Sequence, residues 1–403
     1  MTMLQADNRE KHNAGKAASP MPLAGLLALS TTAFLTILTE TMPAALLPAM
    51  SQSLEATPAS IGLLVSAYAL ASAAVAIPVV ALTRRLPRRP LYIVLVLIFA
   101  AANAMTALSN AYALTLASRI VAGIAAGVVW PVICGYAIRL VSPAQMGRAV
   151  AITLAGSTVA MVAGLPLGTL LGEVLGWRAT YAALSALALL VIGWVLLAVP
   201  AVQQQAQKGP CADASGSAWH VLRTPGLRPI LCATFLAMTG HYALYTYMAP
   251  LADALQLPGG VGRGLLLFGL GAVFGVVLAG RLVDQRGRLL ALCALGCGAA
   301  VIGGLLAGPT AWAASAALLM WGLSFGGLPT VFQASTGQVA SGQAELATAM
   351  LATIYNLGIF AGGAVGGTLL GWSGVQGLQV LALLAVAGSM VIVASNRRHA
   401  FPG

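Results

Sequence analysis

Long apolar runs follow one another along almost the whole chain, each ended by a short polar stretch. A hydrocarbon core about 30 Å thick is crossed by roughly 20 helical residues at 1.5 Å rise each. Runs of that length fall near 22–49, 60–82, 91–109, 112–138, 149–172 and 179–199. A second set falls near 227–252, 261–282, 289–308, 311–335, 346–371 and 377–395. The most polar interior stretch lies between Pro200 and Pro225 and includes Gln203, Gln204 and Gln205. The pattern predicts an all-α membrane protein with twelve transmembrane helices in two six-helix bundles. Its parts are a tail at 1–21, a bundle at 22–199, a linker at 200–226, a bundle at 227–395 and a tail at 396–403.

Composition strengthens this picture. Hydrophobic residues form 59% of the chain and charged residues 7%, against roughly 25% charged in an ordinary soluble domain. So few charges cannot wet the surface of a 403-residue soluble protein, so lipid is the solvent for most of it. The 46 glycines fit membrane helices, where small residues let backbones approach.

The net charge of +11 is a topology signal when its distribution is read. With both termini on one side, 17 of the 20 basic residues fall on that side, leaving Arg119, Arg178 and Arg263 elsewhere. Basic residues collect on the cytoplasmic face, so both termini and the linker are expected there, in a cell inner (plasma) membrane. A nucleic-acid partner is not indicated. The N-terminal residues have no apolar core of signal-peptide type. Cys134, Cys211, Cys232, Cys293 and Cys297 form neither a disulfide framework nor a zinc pattern, and no metal site or cofactor is expected.

The halves repeat. Gly168-Thr169-Leu170-Leu171-Gly172 recurs as Gly367-Thr368-Leu369-Leu370-Gly371, with Gly164 and Gly363 each four residues earlier. The basic loop Arg84-Arg85-Leu86-Pro87-Arg88-Arg89 is answered by Asp284-Gln285-Arg286-Gly287-Arg288. Phe34 and Glu40 in the first span align with Phe235 and His241 in the seventh. Parallel six-helix repeats mark one large transporter architecture.

These residues resemble the major facilitator superfamily over essentially the whole chain. Gly280, Asp284, Gly287 and Arg288 are similar to its G-x3-D-[RK]-x-G-R loop signature, with Gln285 at the basic position. In the first half, Arg84 and Pro87 replace the Asp and Gly. Thr39-Glu40 with Pro43 and Pro48 resembles the TE-x-x-P-x-x-L-L-P run of the arabinose, drug and nucleoside exporter branch. Arg119 with Gly123 is similar to the R-x-x-Q-G motif, with Ala122 for Gln. Gly164, Pro166 and Gly168 form a loosened antiporter motif. The resemblance implies proton-coupled efflux of a drug, sugar or nucleoside-like molecule by alternating access. It also makes Arg84, Arg85, Arg88, Asp284, Gly287 and Arg288 a gating loop set, with Asp284 as a latch when the outside is open.

The candidate chemistry is sparse. Glu40 is the only acid well inside a span, and a charge at that depth normally faces a cavity or a partner. Arg119, roughly 10 Å below its helix end against roughly 14 Å for Glu40, is the natural partner by depth. His241 lies at comparable depth and titrates near neutrality when unperturbed, so Glu40, Arg119 and His241 are candidates for proton coupling or substrate contact. Tyr242 and Tyr245 share a face and, with Trp130 and Asn356, are pocket candidates, while Tyr247 points elsewhere. Packing is the other reading for this aromatic run. Pro131 and Pro329 occupy matching places and predict paired kinks. The small residues Gly156, Gly164, Gly168 and Gly172, with Pro166, suit close approach of the fifth and eighth helices; Gly363 and Gly367 repeat the pattern.

No phosphate-binding loop or hydrolase motif is present, so ATP hydrolysis and enzymatic catalysis are excluded. The expected partners are a small molecule, protons and the bilayer, with the chain acting as a monomer. A uniporter, a symporter and a non-transporting sensor are the alternatives.

Overall fold

The computed structural model describes residues 21–83, 86–142, 145–198, 218–340, 343–397 and 400–401. The first twenty residues, most of the linker, Arg84, Arg85 and the side chain of Asp284 lie outside the described residues. The rest is helical, with no strand among the described residues. The N-terminal half comprises α1 (Leu23–Ala45), α2 (Leu47–Ser53), α3 (Pro58–Thr83), α4 (Arg88–Leu108), α5 (Tyr112–Arg139), α6 (Met146–Val159), α7 (Leu165–Leu175) and α8 (Trp177–Ala198). The C-terminal half comprises α9 (Ala218–Leu222), α10 (Leu227–Tyr245), α11 (Met248–Ala254), α12 (Gly260–Leu306), α13 (Ala311–Gly326), α14 (Leu328–Val339) and α15 (Ala344–Ser395).

Among the described residues, 10 stretches are long and apolar enough to cross a membrane. The last, Leu346–Ser395, is broken at Gly374, whose φ of +64° and ψ of −156° only glycine adopts without strain. Dividing it there and adding α10 accounts for the twelve expected spans. Helix α12 likewise holds two spans, separated at Arg286 by a non-helical φ of −141°.

Breaks inside spans have local causes. Helix α1 ends soon after Pro43, and α2 starts with Pro48 in its first turn. Between α6 and α7 the chain makes a π turn over Ala160–Gly164, directly before Pro166. Proline has no N–H and its ring crowds the carbonyl four residues back, which the wider turn accommodates. The expected pair of proline kinks is not symmetric. Helix α5 continues through Pro131, whereas the tenth span is divided at Gly327 into α13 and α14, with Pro329 in the first turn of α14.

An arginine ties helix ends together at the basic end of each half. Arg89 at the start of α4 donates to the Leu196 carbonyl at 2.7 Å in the last turn of α8. Arg288, whose counterpart in the loop repeat is the neighbouring Arg88, donates to the Ala394 carbonyl at 2.8 Å near the end of α15. Each satisfies a carbonyl left open by a helix end. Arg288 thus bonds within its own half here. At the opposite, far end, Arg178 joins three loops, donating to Ser53 Oγ at 2.8 Å, the Ser109 carbonyl at 2.9 Å and Asn110 Oδ1 at 2.9 Å.

The glycine ladder packs differently from expectation. A side chain at Gly156 would strike the Ser30 carbonyl, at Gly164 Phe34 and Leu38, at Gly168 Met42, and at Gly172 Leu46. The ladder therefore seats on α1 inside its own half. Contact of the fifth span with the eighth comes from the α12 side: a Cβ on Gly269 would lie 2.8 Å from the Met161 carbonyl. The halves meet along α3 against α15, and along the π turn and α7 against α12. Outward faces carry exposed Leu190, Leu197, Phe274 and Leu384, the surface that lipid covers.

Candidate functional site

Glu40 sits on α1 one turn before Pro43 and is buried, 7% exposed. Among the described residues its carboxylate forms no ion pair. It lies within electrostatic reach of three phenols, Tyr68 on α3 and Tyr242 and Tyr245 on α10. Those phenols come from both halves. Tyr242 packs among Ala44, Val65, Ala69 and Ile359, where α1, α3, α10 and α15 converge.

Arg119 is fully buried on α5 but does not make the expected pair with Glu40. Its Nη1 donates to the Thr39 carbonyl at 2.9 Å. Its Nη2 donates to Thr106 Oγ1 at 2.7 Å and Asn103 Oδ1 at 3.4 Å, and the guanidinium lies 5.0 Å from the Tyr181 ring centre. Asn103 in turn donates to Thr39 Oγ1 at 3.0 Å, and Thr106 meets Ser118 at 2.6 Å. The guanidinium's fixed fork bridges several neutral acceptors, spreading its charge without a carboxylate. It clamps the backbone of α1 at the residue before Glu40.

His241 stands in an aromatic box. Its ring stacks on Phe325 at 4.0 Å and 14°, with Phe268 at 5.3 Å and Tyr245 at 5.2 Å. Tyr242 and Trp321 meet it edge-on at 5.0 and 5.2 Å. Tyr242 and Tyr245 also touch each other, centroids 5.8 Å apart. Within or beside this box the buried polar atoms His241 Nδ1, Trp321 Nε1, Thr239 Oγ1 and Tyr355 Oη have no hydrogen-bond partner. Buried polar atoms without partners are costly, and a bound molecule or water relieves that cost.

Trp130 is half-buried on α5, and Asn356 on α15 donates to its own helix at the Ala352 carbonyl, 3.0 Å away. The α15 residues near Tyr242 are Ile359 and Gly362, with Tyr355 within electrostatic reach. Sequence reading missed Asn103, Thr106, Tyr181, Phe268, Trp321 and Phe325. Asn103 was findable as an amide inside an apolar run; the aromatic residues carry no sequence signal that separates them from packing. Among the described residues no three or more His, Cys, Asp or Glu side chains group as a metal site would require.

Two helical bundles that meet beside a buried acid, one holding a polar network around Arg119 and the other a box of stacked aromatic rings, are the architecture of a polytopic membrane transporter. The chain belongs to the Major Facilitator Superfamily, whose family model matches residues 29–363. Its fold is similar to a bacterial homologue of the human lysosomal transporter Spinster, solved inward-facing and occupied. That likeness has a TM-score of 0.75 at 15% identity and covers 95% of this chain and 98% of the other. The same homologue, inward-facing and unoccupied, gives 0.69 at 16% identity, with 96% and 97% covered. The nucleoside transporter NupG gives 0.72 at 12% identity, with 93% and 98% covered. At these identities the likeness is one of fold.

Proposed function

We propose that the chain is a proton-coupled exporter of small molecules, working by alternating access as a monomer, with Glu40 as the coupling carboxylate. The observation that carries this is the position of Glu40: the sole acid well inside a span, buried, without an ion pair among the described residues, and within electrostatic reach of phenols from both halves. A bare charge at bilayer depth is costly, so this carboxylate needs a proton, a cationic group or water. A proton and a substrate that compete for it exchange across the membrane as the halves rock. Arg119 serves as a positioning residue, holding α1 beside Glu40. His241, whose ring stacks with Phe268 and Phe325, contacts substrate through its edge. Aromatic faces attract cations, and the phenol hydroxyls suit a sugar or nucleoside, so the box supports both substrate types.

The basic end is taken as cytoplasmic, with both termini and the linker there, in the inner membrane. Reporter fusions at Pro210 and Arg397 should both report the cytoplasm. An outside signal from either would reverse the orientation.

Glu40→Gln mimics the protonated carboxyl while nearly preserving shape. Proteoliposomes with an imposed pH gradient should lose uphill export of substrate, while counterflow without a gradient persists. Undiminished uphill export would remove Glu40 from coupling, and equal loss in both assays would make it a folding or binding residue. Uphill transport that survives a collapsed pH gradient would favour coupling to another ion, and transport that is only ever downhill would favour a uniporter.

A further inference from the structure

Tyr247 stands at the break in the seventh span. Helix α10 ends at Tyr245, and Tyr247 precedes α11 with φ −109° and ψ 35°. The side chain is fully buried at the far end. Its hydroxyl donates to the Gly363 carbonyl of α15 at 2.7 Å, a bond inside the C-terminal half that fixes where the ring points.

Four glycines surround that ring. A Cβ on Gly366 would lie 3.1 Å from its Cε2, and one on Gly367 or on Gly62 would collide with its hydroxyl. Gly366 and Gly367 belong to the same half as Tyr247. Gly62 belongs to α3 in the N-terminal half. The ring is therefore a knob held by one half and seated in a notch of the other. A second seat adjoins it, where a Cβ on Gly363 would collide with Ser66 Oγ of α3, a buried hydroxyl with no partner.

The position of this contact gives it meaning. Ala44, Val65, Ala69, Ile359 and Tyr242 lie next along the same seam between the halves, on the way to Glu40. A route from the central site to the far end along this seam must separate α3 from α15 or α10 here. Because the Tyr247 bond to Gly363 lies within one half, separation leaves that bond intact while it unseats the ring from Gly62.

We propose that Tyr247 is the far-end gate. Carried by the C-terminal half, it closes the central site when it seats against Gly62 of the N-terminal half. This rests on the reading of the chain as an alternating-access transporter, but its test needs no substrate. Gly62 is glycine because the closed state leaves no volume there. A methyl group at that position blocks closure only while the tyrosine is present.

The test uses protein with its five native cysteines replaced by alanine and Ala44→Cys as reporter, 2% exposed when the gate is closed. Sealed vesicles are treated on the far-end side with an impermeant maleimide. Gly62→Ala should raise the labelling rate several-fold when Tyr247 is present, and should have little effect in a Tyr247→Leu background. Gly371→Ala, where a Cβ meets nothing within 4 Å, should change nothing. If Gly62→Ala fails to insert, Gly363→Ala read with and without Ser66→Ala applies the same logic to the second seat. Equal effects of the glycine substitution in both backgrounds, or no effect in either, would overturn the gate. Labelling that follows the expected cycle in a protein that moves no substrate would leave the gate standing and refute transport.

Discussion

The two halves answer the same sequence theme in different ways. In the N-terminal half, Gly156, Gly164, Gly168 and Gly172 lie against α1, and the interior holds a polar network around Arg119. In the C-terminal half, Gly363 and Gly367, matched to Gly164 and Gly168 in sequence, turn instead towards α3 and Tyr247. Gly358, Gly362 and Gly366 take over the contact with α10. The C-terminal interior holds stacked aromatic rings in place of a charge network. An identical pentapeptide thus packs within one half and between halves in the other. The first half is organised to hold a charge still, and the second to present rings and a movable seam.

The comparison breaks first at Gly156. A branched side chain there must displace the Ser30 backbone, which cannot yield as a flexible side chain does. Gly156→Leu should abolish accumulation of folded protein, measured as monodisperse protein after extraction. Overpacking of this kind typically costs about 1–3 kcal/mol, more where backbone is struck. Wild-type yield would show that α1 and α6 slide freely.

Arg119→Gln comes next. It removes a cation that serves Thr39, Asn103 and Thr106 and leaves buried acceptors open, at about 1–3 kcal/mol for each unsatisfied group. Melting temperature and uphill export should both fall. Arg119→Lys should not restore them, because an ammonium lacks the planar fork that spans these acceptors.

Smaller still is the pair that separates the two pentapeptides. A Cβ on Gly172 would strike Leu46 Cδ2, the end of a side chain that can move, whereas one on Gly371 meets nothing within 4 Å. Gly172→Ala should cost about 1 kcal/mol in thermal unfolding, at the low end for overpacking. Gly371→Ala should change stability by no more than about 0.5 kcal/mol, as at other unencumbered surface sites. Equal effects would show that the repeat is one of environment as well as of sequence.

The smallest structural effect is expected at His241. His241→Phe keeps the ring stacked on Phe325 and removes a nitrogen without a partner, so the fold should be unaffected. Substrate affinity in counterflow should change while coupling to the pH gradient survives. Loss of coupling with intact binding would move the proton site from Glu40 to His241.

The sequence by itself determined the solvent, the helices and the depth of the chemistry. Runs of apolar residues at bilayer length force helices, because no water is present to satisfy an open backbone. Glu40, Arg119 and His241 were visible for the same reason, as polar groups where polarity is costly. Tertiary structure alone decided what each of those groups faces. Depth along a helix gives one coordinate, and rotation about the helix axis gives the other. That rotation sent Arg119 to Thr39, Asn103 and Thr106 instead of to Glu40. The π turn before Pro166 shifts rotation within a span and was not legible in the apolar pattern, whereas the break at Gly327 falls where Pro329 predicted a kink. Lipid and protein interior are equally apolar, so hydropathy cannot tell a ring facing a cavity from one facing the bilayer. Phe325 and Tyr247 therefore gained their places only when the helices were packed.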